Sequence, residues 1–276
     1  MIGVIDSGFG GLSVLKGLLS DMPEYDYVYL GDSARAPYGS HSRETITRFS
    51  EEIVEFLFDR DVKLIIVACN TISGLALRHL QNKYIVDAGL KDKKNILGVI
   101  FPFSEEAATK TKNKRVGVVG TKGTISSRAY ETEILKIDPE IEIFSMPCPL
   151  LVPFIEEGWH DKPEAKMVLK KYLRPMKSRH IDTLILGCTH YPLMMRDFKK
   201  YMGSKVHIVG DGSVLAKSLK DYLKRHPDID KSLSRNGKRT YMTTDDPIKF
   251  KKMGEKFLGH PIPKIEMVNV EGGDGK

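Results

Sequence analysis

The sequence lacks most of the features that mark secreted, membrane-bound or disulfide-bonded proteins. Its 276 residues include only three cysteines, and this small, odd number argues against a disulfide framework and fits a reducing compartment. No apolar run approaches the roughly 18–20 residues that a membrane-spanning helix needs. The first residues lead directly into an apolar, strand-like run at positions 2–5, so we expect no signal peptide. These absences predict a cytoplasmic protein with no membrane partner.

The common motifs for binding nucleotides and metals are also missing. The glycine-rich loop DSGFGG at residues 6–11 would need a third glycine at Ser13 to match the dinucleotide fingerprint, and there is no phosphate loop with a Lys-Ser/Thr pair. Cys-x-x-Cys and zinc-finger spacings are absent too. Glycines allow close backbone approach, and the helix expected after the loop offers its N-terminus to an anion. We therefore expect a small carboxylate at this loop, and neither a cofactor nor a metal.

The formal net charge of +7 raises the question of an anionic partner, such as nucleic acid, an anionic membrane or an acidic metabolite. The basic clusters at residues 91–94 and 110–115 are short and interrupted, and they lack interleaved aromatic residues. We interpret them as solvated surface and expect no nucleic-acid partner. The competing hypothesis, a non-catalytic protein that binds nucleic acid or an acidic partner, predicts salt-sensitive DNA binding that persists without the cysteines.

Short apolar runs alternate with glycine- or proline-rich turns and helical patterns along the chain. Strands are predicted at residues 2–5, 27–30, 64–68 and 96–100, and helices after residue 11, over 45–58 and from about residue 73. This alternation predicts an α/β fold in which helices cover both faces of a parallel sheet. Hydrophobic residues at 41% and charged residues at 29% are ordinary for such a domain.

The second half of the chain repeats the pattern of the first. RVGVVGTKGTI (115–125) is similar to IGVIDSGFGGL (2–12), and TLILGCTHYPL (183–193) is similar to LIIVACNTISG (64–74). We therefore predict two similar parallel-sheet α/β domains related by pseudo-twofold symmetry, with the active site in the cleft between them. The first domain is predicted to comprise residues 1–98 plus 208–276, and the second residues 99–207. The strand-like segment 206–209 is expected to return to the first domain with the rest of the C-terminal region.

Two of the three cysteines, Cys69 and Cys188, lie at matching positions in the two halves. Each ends an apolar strand and is followed by hydrogen-bonding side chains, in the sequences ACNT and GCTH. Ligands of parallel sheets collect beyond the carboxyl ends of the strands. A cysteine at the start of the next helix would have its thiolate favoured by the helix dipole and by free N–H groups. The third cysteine, Cys148, lacks this setting and is interpreted as structural.

Several kinds of chemistry could use these cysteines. Both could be small buried hydrophobic residues with no chemical role, a redox pair, or part of a zinc site with His190 that still lacks a ligand. A cysteine hydrolase needs only one nucleophile. Two thiols on opposing halves suit a different reaction, in which one removes a proton from carbon and the other supplies one from the far side. That reaction inverts a stereocentre.

Three further side chains have both a structural and a functional interpretation. Asp6, at the end of the first strand, is either a helix cap or a group that acts on a nearby thiol. His190 is either a histidine satisfied within a turn or the partner of Cys188. Tyr38, in the turn APYGSHS at residues 36–42, either lies on a surface turn or is presented to a ligand.

Seven stretches are spread along the chain from residue 2 to residue 259: IGVIDSGFGGLSVLK, GDSARAPYG, ACNT, VGVVGTKGTI, CPLLVPFIEEG, LILGCTHYPL and TTDDPIKFKKMGEKFLG. In this order they resemble the glutamate racemase family of the cofactor-independent aspartate/glutamate racemase superfamily. The sequence departs from the family pattern at Ser33, where threonine is more usual, and the change is conservative. The resemblance implies interconversion of L- and D-glutamate, which supplies D-glutamate for peptidoglycan synthesis. We also expect a homodimer.

The resemblance implies roles for individual residues. Cys188 would take the α-proton from L-glutamate with the help of His190, and Cys69 would take it from D-glutamate with the help of Asp6. Glu156, in PFIEEG, would be a further carboxylate near the site. The residues that would contact the substrate's polar groups are Asp6, Ser7, Tyr38, Gly39, Asn70, Thr71, Thr189 and His190, with Thr121 as an additional contact.

The implied reaction sets a severe physical problem, because the α-hydrogen of an amino acid is very weakly acidic and the sequence shows no pyridoxal motif. The site must stabilise a carbanion by desolvation, by dense hydrogen bonding to the carboxylate and by short proton-transfer distances. We therefore expect the two domains to close over the substrate. Racemisation of aspartate is the main rival within the superfamily, since the depth of the cavity decides between the two amino acids.

Overall fold

The computed structural model describes residues 1–91 and 93–271. The strands are β1 (Ile2–Asp6), β2 (Tyr27–Gly31), β3 (Leu64–Val67), β4 (Asn95–Gly98), β5 (Arg115–Gly120), β6 (Glu142–Pro147), β7 (Thr183–Gly187), β8 (His207–Val209), β9 (Arg239–Thr243) and β10 (Glu266–Met267). The α-helices are α1 (Leu12–Asp21), α2 (Arg43–Asp59), α3 (Asn70–Leu75), α4 (Leu77–Gln81), α5 (Ile100–Lys110), α6 (Lys122–Ser126), α7 (Ala129–Ile137), α8 (Leu151–Glu156), α9 (Pro163–Ser178), α10 (Met195–Met202), α11 (Gly212–Arg225), α12 (Pro227–Ser232) and α13 (Pro247–Leu258).

The strands form two parallel sheets, as the alternation of strands and helices predicts. One sheet has six strands in the order β10-β9-β2-β1-β3-β4, and the other has four in the order β6-β5-β7-β8. Every residue of β1, β2, β3 and β7 is buried, because helices cover both faces of a parallel sheet. The predicted fold class, α/β with two similar parallel sheets, is confirmed.

The first four strands of each half are arranged in the same order. In the six-stranded sheet, β1 lies between β2 and β3, and β4 follows β3; in the four-stranded sheet, β5 lies between β6 and β7, and β8 follows β7. This shared order is what the repeated sequence motifs predict. The strands that end just before Cys69 and Cys188, β3 and β7, are therefore equivalent members of the two sheets.

The helices follow the amphipathic patterns of the sequence, although two of them begin earlier than predicted. Helix α2 buries Ile46, Ile53 and Leu57 on one face, as expected for a helix that covers a sheet. It begins two residues before the predicted start because Ser42 caps it, with the Ser42 hydroxyl accepting from the N–H of Thr45 at 3.2 Å. Helix α3 begins at Asn70 rather than near residue 73.

One predicted assignment is wrong. The strand-like segment 206–209, expected in the first domain, forms β8 and pairs with β7 in the four-stranded sheet, with Ile185 opposite Val209. The reason is that a strand–helix–strand unit with a short crossover helix, here α10, adds its second strand beside the first. The later strands β9 and β10 do return to the six-stranded sheet, where β9 pairs with β2. The predicted boundary at residue 208 falls inside β8, and the exact limits of the two domains stay a prediction.

Helix α11 connects the two halves. It follows β8 of the four-stranded sheet and packs against α1 of the first half. The two helices approach so closely that a Cβ atom at Gly17 would lie 2.2 Å from the carbonyl carbon of Gly212, so neither position has room for a side chain. Over the described residues, no helix combines the length and the apolarity needed to cross a bilayer.

Candidate active site

A small cavity lies where the carboxyl ends of strands from both sheets meet. Its lining residues from the first half are Ser7, Ala36, Pro37, Tyr38, Gly39, Cys69, Asn70 and Thr71, and those from the second half are Thr121, Val152, Glu156, Cys188, Thr189 and His190. All the predicted site residues except Asp6 are among them. The cavity volume is about 20 Å³, room for about one water molecule.

Size alone does not identify this site. A larger cavity of about 780 Å³ is lined by residues of α3, α5, α7 and α11, but it contains neither Cys69 nor Cys188. The small cavity is distinguished by its chemistry, because it gathers two thiols, an imidazole, a carboxylate, an amide and several hydroxyl groups in one enclosed space. Such a convergence of polar groups with shifted pKa values is typical of an active site.

Cys69 lies two residues beyond the end of β3, and its side chain is almost completely buried, with 5% exposed. Its Sγ donates to Ser7 Oγ at 3.7 Å. Burial of the thiol and the negative charge of Asp6 together raise the pKa of Cys69 to about 12. The backbone N–H of Ile72 in α3 favours the thiolate, as expected, but desolvation and the charge of Asp6 outweigh it. In this closed cavity Cys69 is a protonated thiol at neutral pH.

Cys188 follows β7 and faces His190. Its Sγ lies 3.8 Å from His190 Nδ1, and His190 Nε2 lies 3.0 Å from Glu156 Oε1. No α-helix begins at Cys188; the chain makes a turn and enters a short 3-10 helix at Tyr191–Met194. Burial alone would lower the pKa of His190, but its contacts with Cys188 and Glu156 raise that pKa to about 10. His190 is therefore an imidazolium at neutral pH, with its charge directed at the Cys188 sulfur.

Asp6 lies behind the cavity wall and does not line it. Its Oδ2 accepts from the N–H of Gly8 at 3.0 Å and its Oδ1 accepts from Thr189 Oγ1 at 3.2 Å. Burial raises the pKa of Asp6, and the nearby positive charge of His190 opposes that rise. The carboxylate thus holds the loop after β1 and the residue after Cys188 together, and it acts on Cys69 through its charge.

Tyr38 is held by a carboxylate that the sequence analysis did not single out. The Tyr38 hydroxyl donates to Asp32, which also accepts from Arg35 Nε at 2.6 Å and from Thr244 Oγ1 at 2.7 Å. Asp32 is fully buried at the end of β2, inside the quoted motif GDSARAPYG. The sequence did contain a signal for this role, because Asp32 is a carboxylate that follows a buried strand and precedes an arginine by three residues. Through Asp32, the turn with Tyr38 and Gly39 is fixed against the first sheet.

The two halves touch at the rim of the cavity. Thr71 Oγ1 lies 2.9 Å from Thr121 Oγ1 across the boundary between the halves. At Gly39, a Cβ atom would lie 2.7 Å from the Thr121 Cβ, so only glycine permits this approach. Tyr130, which the sequence analysis missed, crosses the same boundary and donates to Asn70 Oδ1 at 2.5 Å. Val152 was also missed, because an apolar lining residue carries no chemical signal in the sequence.

The geometry gives the two thiols different surroundings. Cys188 has a cation beside it, in the form of His190 held by Glu156, whereas Cys69 has a hydroxyl from Ser7 and the buried Asp6. Burial and the charge of Asp6 favour the thiol form of Cys69. Cys188 instead has the imidazolium beside it, so the two sulfurs lie in unlike surroundings. A two-sheet α/β protein with such a cavity between its halves has the architecture and acid/base groups of a racemase.

Comparison with known proteins agrees with this class. The model of the family Asp/Glu/hydantoin racemase matches residues 2–219, and the chain belongs to that family. The glutamate racemase of Geobacter metallireducens is 42% identical over 270 residues, which cover 98% of this chain and 97% of that protein.

Two solved structures have the same fold over almost their full length. The crystal structure of glutamate racemase isoform RacE1 from Bacillus anthracis aligns with a TM-score of 0.88 at 34% identity, covering 98% of this chain and 97% of that one. The glutamate racemase of Francisella tularensis in complex with D-glutamate aligns with a TM-score of 0.86 at 37% identity, with the same coverage. The protein is therefore a racemase with two parallel-sheet units.

Proposed function

We propose that this racemase interconverts L- and D-glutamate with Cys69 and Cys188 as its two acid/base groups. The observation that carries the proposal is that these cysteines follow equivalent strands of the two sheets and line one cavity. The substrate is suggested by the similar proteins, which are glutamate racemases, one of them in complex with D-glutamate.

The forward reaction begins at Cys188. Its thiolate, which lies beside the His190 imidazolium, takes the α-proton of L-glutamate and leaves a planar carbanion. The thiol of Cys69 then gives its proton to the opposite face of that carbon, which yields D-glutamate. In the reverse direction Cys69 is the base and Cys188 the acid. Each turnover leaves the proton on the other sulfur, so a redistribution of protons must restore the starting state.

Polar side chains around the cavity hold the substrate. Ser7, Asn70, Thr71 and Thr189 supply hydroxyl and amide donors for the carboxylates and acceptors for the ammonium group, and the turn with Tyr38 and Gly39 closes one side. As the α-proton leaves, negative charge spreads into the neighbouring carboxylate, so donors aimed at it stabilise the transition state more than the substrate. General acid/base transfer contributes about 10²–10⁴-fold, and the enclosed, fixed dipoles supply the remainder.

The proposal has consequences beyond the site. D-glutamate made by this reaction would serve peptidoglycan synthesis, and the protein would work in the cytoplasm. A homodimer stays a prediction, and light scattering on the purified protein tests it: a mass of about twice 31.1 kDa is expected.

One experiment tests the proposed reaction directly. The purified protein is incubated with L-glutamate in D₂O, with no added cofactor, and the products are separated on a chiral column and examined by mass spectrometry. The proposal predicts D-glutamate carrying one deuterium at Cα, because the proton given to the opposite face comes from a thiol that has exchanged with solvent. A parallel incubation with L-aspartate measures specificity. Faster racemisation of aspartate than of glutamate would contradict the proposed substrate.

A further inference from the structure

Tyr130 reaches across the boundary between the halves to a residue of the proposed binding site. It lies in α7 of the second half and is buried, with 3% exposed. Its hydroxyl donates to Asn70 Oδ1 at 2.5 Å, and Asn70 begins α3 of the first half and lines the cavity. This bond joins the second half to the binding wall of the first.

The bond determines which way the Asn70 amide faces. An asparagine side chain has one carbonyl oxygen and one NH₂ group. With Oδ1 bonded to Tyr130, the NH₂ group points away from Tyr130, and over the described residues no protein group accepts from it. If the amide turned over, the NH₂ group would replace Oδ1 and the buried Tyr130 O–H would lose the acceptor that it has in this structure, which is unfavourable. The tyrosine hydroxyl therefore selects one of the two amide orientations.

The selected orientation suits an anionic substrate. An NH₂ group directed into the cavity donates to a carboxylate, whereas a carbonyl oxygen in that place would repel it. The donor gains strength in the transition state, when the carboxylate takes up charge from the α-carbon. Because the two partners belong to different halves, the orientation is set only when the halves are together.

We propose that Tyr130 is a positioning residue for the racemase reaction, which acts by holding the Asn70 amide with its NH₂ group towards the substrate carboxylate. This inference rests on the proposed function, in which Asn70 binds glutamate. The tyrosine ring has a separate packing role, since a Cβ at Gly187, next to Cys188, would lie 3.1 Å from Tyr130 Cε2. Tyr130→Phe keeps that ring and removes only the hydroxyl.

A double-mutant cycle tests the inference. We expect Tyr130→Phe to lower kcat/KM for glutamate about 10-fold and Asn70→Ala to lower it about 100-fold. In the Asn70→Ala background, Tyr130→Phe should change kcat/KM by less than about twofold, because its only route of action is gone. Where the activity of Asn70→Ala is too low to measure, the same cycle is run on the Kd for D-glutamate by calorimetry.

Each outcome of the cycle has a meaning. If Tyr130→Phe lowered kcat/KM about 10-fold in both backgrounds, Tyr130 would act independently of Asn70. If it left kcat/KM of the wild-type background unchanged, the hydroxyl would be dispensable. Either result overturns the inference. Full activity in Asn70→Ala would instead remove the proposed role of Asn70, and the inference with it. The control is Tyr27→Phe, which removes a buried hydroxyl that donates to Met22 O at 3.2 Å far from the cavity. It should lower the thermal unfolding midpoint to a similar extent and leave kcat/KM unchanged.

Discussion

Cys69 and Cys188 end equivalent strands of two separate sheets and line the same cavity. Neither half could place a thiol on both sides of a substrate by itself, because each sheet delivers one. The surroundings of the two thiols differ, with the imidazolium of His190 beside Cys188 and the buried carboxylate of Asp6 near Cys69. In the proposed mechanism, this paired position allows proton transfer on both sides of the substrate, with one sulfur as the base and the other as the acid.

Replacing either thiol should stop racemisation. Cys69→Ser and Cys188→Ser should each lower kcat at least about 10³-fold, because a serine hydroxyl is a much weaker base than a thiolate. Each variant keeps one thiol, so slow exchange of the α-hydrogen in D₂O should be confined to one enantiomer: L-glutamate for Cys69→Ser and D-glutamate for Cys188→Ser. Proton NMR of each enantiomer measures this.

The third cysteine provides the control for that experiment. Cys148 is fully buried and its Sγ donates to Met146 O at 3.6 Å. Cys148→Ala should cost about 1 kcal/mol of unfolding free energy and leave kcat/KM near the wild-type value. Wild-type activity in Cys69→Ser or Cys188→Ser would contradict the two-thiol mechanism.

The contact between His190 and Glu156 should set the alkaline limit of activity. Because Glu156 helps to raise the pKa of His190 to about 10, Glu156→Gln should lower that pKa. The imidazolium beside the Cys188 sulfur would then be lost at lower pH, and the alkaline limb of the kcat/KM profile should move to lower pH. Glu157→Gln, a change at the exposed neighbouring carboxylate, is the control and should leave the profile in place.

The same pKa shift predicts how stability depends on pH. His190 has a higher pKa in the folded protein than in the unfolded chain. Its stabilising contribution to the free energy of unfolding is therefore fully present below about pH 6.5 and is lost as the pH rises through about 10. Urea unfolding should show that the free energy of unfolding falls as the pH rises across this range, and that the fall is smaller in Glu156→Gln than in the wild type. Equal declines in both proteins would show that this contact does not raise the pKa.

Asp6 and Asp26 are both buried but should respond oppositely to the same substitution. Burial raises the pKa of Asp6. At pH values above the pKa that Asp6 has in the unfolded chain, its ionised form therefore opposes folding. Asp6→Asn should raise the free energy of unfolding at pH 7 while lowering activity at least about 10-fold. An asparagine can still accept from Gly8 and donate to Thr189.

Asp26 is the matched control for this prediction. Burial alone would raise its pKa, but the Ser234 side chain and the N–H donors of Lys238 and Asn236, at 2.8 and 2.9 Å, hold the pKa well below its usual range. Its ionised form therefore stabilises the fold above the unfolded pKa, and Asp26→Asn should lower the free energy of unfolding at pH 7 with little effect on kcat/KM. Urea denaturation measures both variants, and a loss of stability in Asp6→Asn would contradict the analysis of that site.

Closure of the halves over the substrate should depend on Gly39. The cavity holds about one water molecule, so the halves must separate to admit glutamate and then come together around it. An added Cβ at Gly39 would lie 2.7 Å from the Thr121 Cβ, and Gly39→Ala should therefore lower kcat/KM by about 10-fold or more through poorer closure. Ser40→Ala changes an exposed neighbour on the same turn and should leave kcat/KM unchanged. Equal kinetics in the two variants would show that this contact does not limit closure.

Much of the fold and the main site residues could be predicted from local sequence. The apolar run at residues 64–68 ends at Cys69 and the run at 183–187 ends at Cys188, and parallel strands bring their carboxyl ends to one edge of a sheet. The placement of Asp32 and Tyr130 was not predictable in this way. Their partners, Thr244 and Asn70, lie 212 and 60 positions away in the chain, and no periodic pattern marks such contacts.

The sequence by itself determined the α/β class, the two similar halves and the matching positions of Cys69 and Cys188, because these depend on hydrophobic period, turn residues and motif spacing, which are local. Only the tertiary structure decided that β8 joins the four-stranded sheet, that Cys69 has a pKa of about 12 and that His190 is charged. Those properties depend on how completely each group is removed from water and on which charges from distant segments face it. Burial and long-range contact arise only when the chain is folded.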